Sequence, residues 1–83
     1  MEREETRRRI LERLRSGALP RQRQARMWGG PGADLPCAGC GETIPRNDLE
    51  IELQFLTANG FSGRRFHTFC FAIWELERRA DEA

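Results

Sequence analysis

The chain has 83 residues, 39% apolar and 33% charged, which bounds it to one small domain plus a short appendage, near the size where a core alone is marginal. No run approaches the roughly 18 apolar residues of a membrane span. The charged opening Met1-Glu2-Arg3-Glu4-Glu5 lacks a signal-peptide apolar region, so a cytoplasmic protein with no membrane partner is expected.

The net charge is +1, but the charge is uneven. Residues 1–26 carry nine Arg and four Glu, whereas residues 27–83 carry five Arg and nine acids. A basic arm thus precedes an acidic domain. Such asymmetry marks an arm that meets an acidic partner, an arm that folds on its own domain, or a solvated one. All 14 basic residues are Arg, which excludes a Walker-loop lysine and a lysine general base.

Residues 1–19 read as a basic N-terminal helix. Glu early and Arg late suit the helix dipole, and Glu5 with Arg9 forms a favoured i,i+4 pair. Ile10, Leu11 and Leu14 make a short apolar stripe, with Gly17 as a C-terminal cap and Pro20 as a stop. The stripe is too short for a coiled coil. It is expected to dock on the domain or on a second copy. Residues 20–35, rich in Gly, Pro, Gln and Arg, lack periodicity and read as a linker. Trp28 is out of place there and is expected to pack on the following domain or on a partner. Gly29-Gly30-Pro31-Gly32 has no preceding strand and reads as linker, not as a phosphate cradle.

Residues 36–83 are the organised part. Leu49, Ile51, Leu53 and Phe55 alternate with Glu50, Glu52 and Gln54, the period of a half-buried strand. Asn59-Gly60 signals a turn, and Gly63 suggests a longer or bulged loop. A shorter second strand is expected over Arg64 to Phe66. Thr68 is a candidate N-cap, and Phe69, Ile73, Leu76 and Ala80 give the stripe of a C-terminal helix. Trp74 is expected to shield the core or a metal. Phe61, Phe66, Phe69 and Phe71 are too many for so small a core, so one is expected at an interface or beneath the arm. Glu50 and Glu52 read as a solvated face that pairs with Arg64 and Arg65.

The three Cys and the single His fall into two pairs, Cys37-x-x-Cys40 and His67-x-x-Cys70. An x2 gap lets a tight turn aim two thiolates at one ion. The second pair starts the expected helix, where i and i+3 share a face. Together they form a Cys3His set that suits one structural zinc ion. Competing readings fit less well. Three Cys do not close into disulfides. A thioredoxin-like pair needs a βαβ scaffold, haem attachment needs His where Gly41 stands, and a nucleobase deaminase needs an upstream His.

Cys37-Ala38-Gly39-Cys40-Gly41, the following hairpin and His67-Thr68-Phe69-Cys70 resemble a treble-clef zinc finger over about residues 36–80. The pattern is also similar to small uncharacterised bacterial zinc-binding proteins. The resemblance implies a small α+β zinc-stabilised domain of knuckle, hairpin and C-terminal helix, preceded by a helix and a linker. It implies no activity.

Four protein ligands leave zinc no open position for Lewis-acid chemistry, and no His remains for a nucleophilic dyad. A non-catalytic module without a small-molecule substrate is therefore expected. Its expected role is a protein-binding adaptor or regulator, with a protein partner or a second copy. The alternative is nucleic-acid binding, with Arg7, Arg8, Arg9, Arg13, Arg15, Arg21, Arg23 and Arg26 on phosphates.

Overall fold

The computed structural model describes residues 2–80, so the last residues of the expected 36–83 segment lie outside it. In chain order the elements are α1 (Arg3–Ser16), β1 (Arg26–Pro31), β2 (Leu35–Pro36), β3 (Thr43–Ile44), β4 (Leu49–Thr57), β5 (Gly60–His67) and α2 (Thr68–Ala80). They form an α+β fold with a three-stranded antiparallel sheet, ordered β1-β4-β5, and a small β2-β3 ladder.

The ends of α1 follow its sequence. The Glu2 carboxylate accepts from the Glu4 N–H at 3.2 Å, and Glu4 and Glu5 occupy the first turn. Gly17 takes φ +83° and donates its N–H to the Leu14 carbonyl, a left-handed C-terminal stop that a residue with a Cβ adopts only under strain. Ile10, Leu14 and Leu19 are buried in the same core as the sheet and α2. The arm therefore docks in cis.

The expected linker is corrected in part: residues 26–31 form β1, an edge strand of the sheet. It pairs with β4 from Arg26↔Gln54 to Pro31↔Leu49. The sequence hides it because Gly29, Gly30 and Pro31 carry no alternating apolar side chains. Trp28 lies in this strand opposite Glu52 and remains half exposed.

The β4-β5 hairpin is longer and tighter than expected. Thr57 pairs with Gly60, leaving Ala58 and Asn59 as the loop, so β5 begins at Gly60 and not near Arg64. Gly63 lies within the strand, opposite Gln54. On the covered face of the sheet, Leu53, Phe55 and Phe66 meet Trp74 and Ile73 of α2. Trp74 is wholly buried, with Phe55 and Phe66 each 5.7 Å away between ring centroids, and its Nε1–H donates to the Pro20 carbonyl at 2.9 Å. That bond satisfies the one polar group of a large buried ring.

The buried stripe of α2 departs from the expected Phe69-Ile73-Leu76-Ala80. It runs through Cys70, Ile73, Trp74 and Arg78, while Phe69 and Leu76 are exposed. Cys70 and Trp74 turn inward, and only Ile73 is common to both stripes. Of the phenylalanines, Phe66 is core and Phe71 partly buried; Phe61 and Phe69 are exposed. Phe69 lies beneath Arg3 of α1 and Phe61 beneath Arg26. No helix among the described residues is long and apolar enough to cross a membrane.

Candidate metal centre

Two short segments and one strand–helix junction bring the four sulfur and nitrogen donors together. The β2-β3 ladder pinches the chain so that residues 37–42 form a knuckle. The Cys37 N–H donates to the Glu42 carbonyl at 2.8 Å, and the Gly41 N–H to the Cys37 carbonyl at 2.9 Å. The knuckle lies along β5 because the Ala38 N–H donates to the Arg65 carbonyl at 2.8 Å. His67 is the last residue of β5, and Cys70 lies in the first turn of α2. The second pair therefore spans the junction and not one helix face, as the spacing alone suggested. Thr68 is the first helical residue and not the cap before it.

The Cys37, Cys40 and Cys70 Sγ atoms and a His67 ring nitrogen all lie within 4.8 Å of one another, and the group can hold one metal ion. All three cysteines are buried and none is in a disulfide. His67 Nδ1 is 3.5 Å from Cys40 Sγ and 3.7 Å from Cys70 Sγ. Its Nε2 is 3.3 Å from the Thr43 carbonyl oxygen. A carbonyl only accepts, so Nε2 carries the proton and the Nδ1 lone pair faces the sulfurs. β3 thus sets which nitrogen is presented.

The backbone supports thiolate charge. The Gly39 N–H donates to Cys37 Sγ at 3.3 Å, and the Glu42 N–H to Cys40 Sγ at 3.4 Å. Among the three thiols Cys37 is the acidic one. A hydrogen bond from Cys70, aided by backbone N–H groups and opposed by burial, lowers its pKa to about 4. Cys70 is pushed up because it donates to Cys37 and is buried. Burial pushes Cys40 up as well. Gly39 is needed at its position: a Cβ there would sit 3.2 Å from Cys70 Cβ and 3.3 Å from two Ile10 side-chain carbons. A cavity of about 250 Å³ beside the cluster is lined by Thr6, Cys40, Glu42, His67, Phe69 and Cys70.

Sequence reasoning did not anticipate the part that α1 plays here. Arg9 donates to the Cys40 carbonyl at 2.8 Å and pairs with Glu5 and Glu42. Arg13 donates to the Ala38 carbonyl at 2.8 Å. Arg9 and Arg13 are one helical turn apart on the side of α1 that carries Ile10 and Leu14. That i,i+4 spacing beside an apolar stripe was the available signal.

The other candidate arginines are scattered. Arg7 pairs with Glu77 of α2 at 2.7 Å, and the Glu77 carboxylate raises the guanidinium pKa above its usual value, first through the hydrogen bond. Arg26 stacks on Phe61, with Cζ 4.0 Å from the ring centroid. Arg21 is partly buried, while Arg8, Arg15 and Arg23 are exposed. Arg8 and Arg15 share their surface groove with Glu4 and Glu12. Glu50 corrects the expected solvated face: it is buried, and its carboxylate accepts from Arg65 Nη1 at 3.1 and 3.3 Å.

No protein-family model matches the chain, and neither the curated proteins nor the solved structures contain a match to it.

Proposed function

We propose that the chain is a non-catalytic zinc module whose single ion fastens knuckle, hairpin and helix into a platform for binding another protein. The observation that carries the zinc reading is the donor geometry. Tetrahedral zinc, with Zn–S of about 2.3 Å and Zn–N of about 2.0–2.1 Å, requires S···N separations of about 3.6 Å. The separations from His67 Nδ1 to Cys40 and Cys70 are 3.5 and 3.7 Å. Soft thiolates with one imidazole favour zinc over hard cations. Four protein donors complete the coordination, which supports a structural role and not Lewis-acid catalysis. Two donors from a knuckle, one from the end of the hairpin's second strand (His67) and one from the first turn of the following helix (Cys70) support the treble-clef reading.

Protein is preferred over nucleic acid because the basic arm turns much of its charge onto its own domain. Arg7, Arg9 and Arg13 are bonded to Glu77, Glu42 and knuckle carbonyls. The outer face of the sheet instead presents Trp28, Leu56 and Phe61, each at least 46% exposed. Exposed aromatics are the usual anchors of protein interfaces.

The test compares two variants of the zinc-loaded chain. Replacing Arg8, Arg15 and Arg23 by Gln should leave partner binding nearly unchanged, while Trp28→Ser with Phe61→Ser should abolish it. Micromolar binding to mixed DNA or RNA that falls steeply with salt and vanishes in the Arg→Gln variant would overturn the reading.

A further inference from the structure

β1 ends the sheet at an unpaired edge. The other edge strand, β5, is covered where the knuckle bonds to Arg65, but among the described residues no strand borders β1 on its outer side. The hydrogen-bond phase of β1 follows from its end. The Gly32 N–H donates to the Asp48 carbonyl at 2.9 Å. Antiparallel pairs alternate between bonded and non-bonded, so Gly30, Trp28 and Arg26 bond to β4. Met27 and Gly29 then point their N–H and C=O groups outward. Natural edges are usually blunted by lysine, a bulge or a covering loop, and the centre of β1 has only Met27-Trp28-Gly29-Gly30. Pro31, with no N–H, closes the pairing-competent stretch.

We propose that this edge pairs with itself: two copies join β1 to β1, antiparallel, about a two-fold axis at Trp28, making one continuous six-stranded sheet. The inference rests on the protein-binding reading and deepens it by naming the partner as a second copy. In this register Met27 and Gly29 of each copy exchange hydrogen bonds with Gly29 and Met27 of the other. Every outward donor is satisfied. The two Trp28 rings meet side by side on the outer face, as a non-bonded cross-strand pair.

Charge and space support the same register. Arg26 lies opposite Gly30 of the second copy, where a Cβ would find no atom within 4 Å. Beyond Gly30 in that row stands Glu50, its partner on β4. On leaving the Phe61 ring of its own chain, the Arg26 side chain can cross the bare glycine toward the carboxylate of the second copy, and the two-fold repeats the contact. Glu50 already accepts from Arg65 of its own chain, so the added guanidinium completes a carboxylate held between two cations.

Sedimentation equilibrium of the zinc-loaded full chain, up to millimolar concentration, should show a concentration-dependent species of twice the 9.6 kDa chain mass. Trp28→Arg and Trp28→Glu should each weaken association at least tenfold by setting like charges across the axis, and mixing the two should restore it. Zinc content and circular dichroism of each variant confirm its fold. Amide exchange of the unaltered chain needs no variant: the Met27 and Gly29 N–H groups should be protected at high concentration and exchange fast on dilution. A mass that stays monomeric, a dimer indifferent to both substitutions, or edge amides fast at every concentration would overturn the proposal. Any of these leaves the protein-binding reading to its own test, since a different partner can still be lost with Trp28 and Phe61.

Discussion

Arg13 of α1 donates to the carbonyl oxygen of Ala38 at 2.8 Å, tying the N-terminal helix to the loop between Cys37 and Cys40. Arg9, one turn earlier, does the same to Cys40. The arm is thus a brace on the knuckle, and under the proposed zinc reading it depends on the ion that would hold the knuckle closed. An isolated helix of this length is marginal in water. Removing zinc with a strong chelator should therefore unfold the knuckle and melt α1 together, read as one loss of helical circular dichroism. Retention of α1 helicity in the chelated chain would separate the two. Arg13→Met should cost about 1 kcal/mol in denaturant unfolding, because it leaves a knuckle carbonyl without its donor.

The core face of α1 should be far more sensitive than its flank. Ile10 is wholly buried and touches the space over Gly39. Ile10→Ala should destabilise the chain by about 2–5 kcal/mol. Leu11, only partly buried, should cost less when truncated. Replacing Ile10, Leu11 and Leu14 together by Ser should undock the arm while leaving zinc stoichiometry at one ion per chain. An arm equally helical after that change would contradict the docking.

Much of this was legible in the residues, for identifiable reasons. Cys37, Cys40, His67 and Cys70 account for every Cys and His in the chain, so their grouping needed no competing assignment. The alternation through Ile51, Leu53 and Phe55 marked β4, because one face is buried and the other wet. What was not legible lacked side-chain contrast or depended on tertiary partners. β1 is formed largely by Gly29, Gly30 and Pro31, whose pairing is a backbone matter. The α2 stripe was misplaced because Phe69 and Leu76 match helical spacing as well as Cys70 and Trp74 do. The grouping of Cys70 with Cys37, Cys40 and His67 and the Trp74 bond to Pro20 decide between them, and neither is local. Glu50 was read as solvated since period two places it on the polar face; its burial and its pairing with Arg65 of β5 are tertiary.

The Glu50–Arg65 pair should respond asymmetrically. Glu50 is the buried partner, while the Arg65 side chain keeps about a third of its exposure. Arg65→Met leaves a buried carboxylate without its cation and should cost about 2–4 kcal/mol. Glu50→Gln leaves an arginine that can turn to water and should cost about 1 kcal/mol or less. Equal effects in thermal unfolding would contradict the burial assigned to Glu50.

Two glycines make a matched comparison. Gly39→Ala should destabilise by about 1–3 kcal/mol, because its methyl meets the buried Cys70 and Ile10 side chains. Gly30→Ala should be neutral or stabilise by about 0.4–1 kcal/mol, since its methyl enters open space and restricts the unfolded chain. Unfolding midpoints of the two variants check both statements.

The central claim, that Cys37, Cys40, His67 and Cys70 close around one zinc ion, is tested most directly by zinc-edge X-ray absorption on the purified full chain. The account expects one zinc per chain, with three sulfurs at about 2.3 Å and one nitrogen at about 2.0–2.1 Å. Cys70→Ser should lose one sulfur from that shell or lose the ion. Substoichiometric metal, or a shell containing a water oxygen in place of one of the four donors, would contradict it.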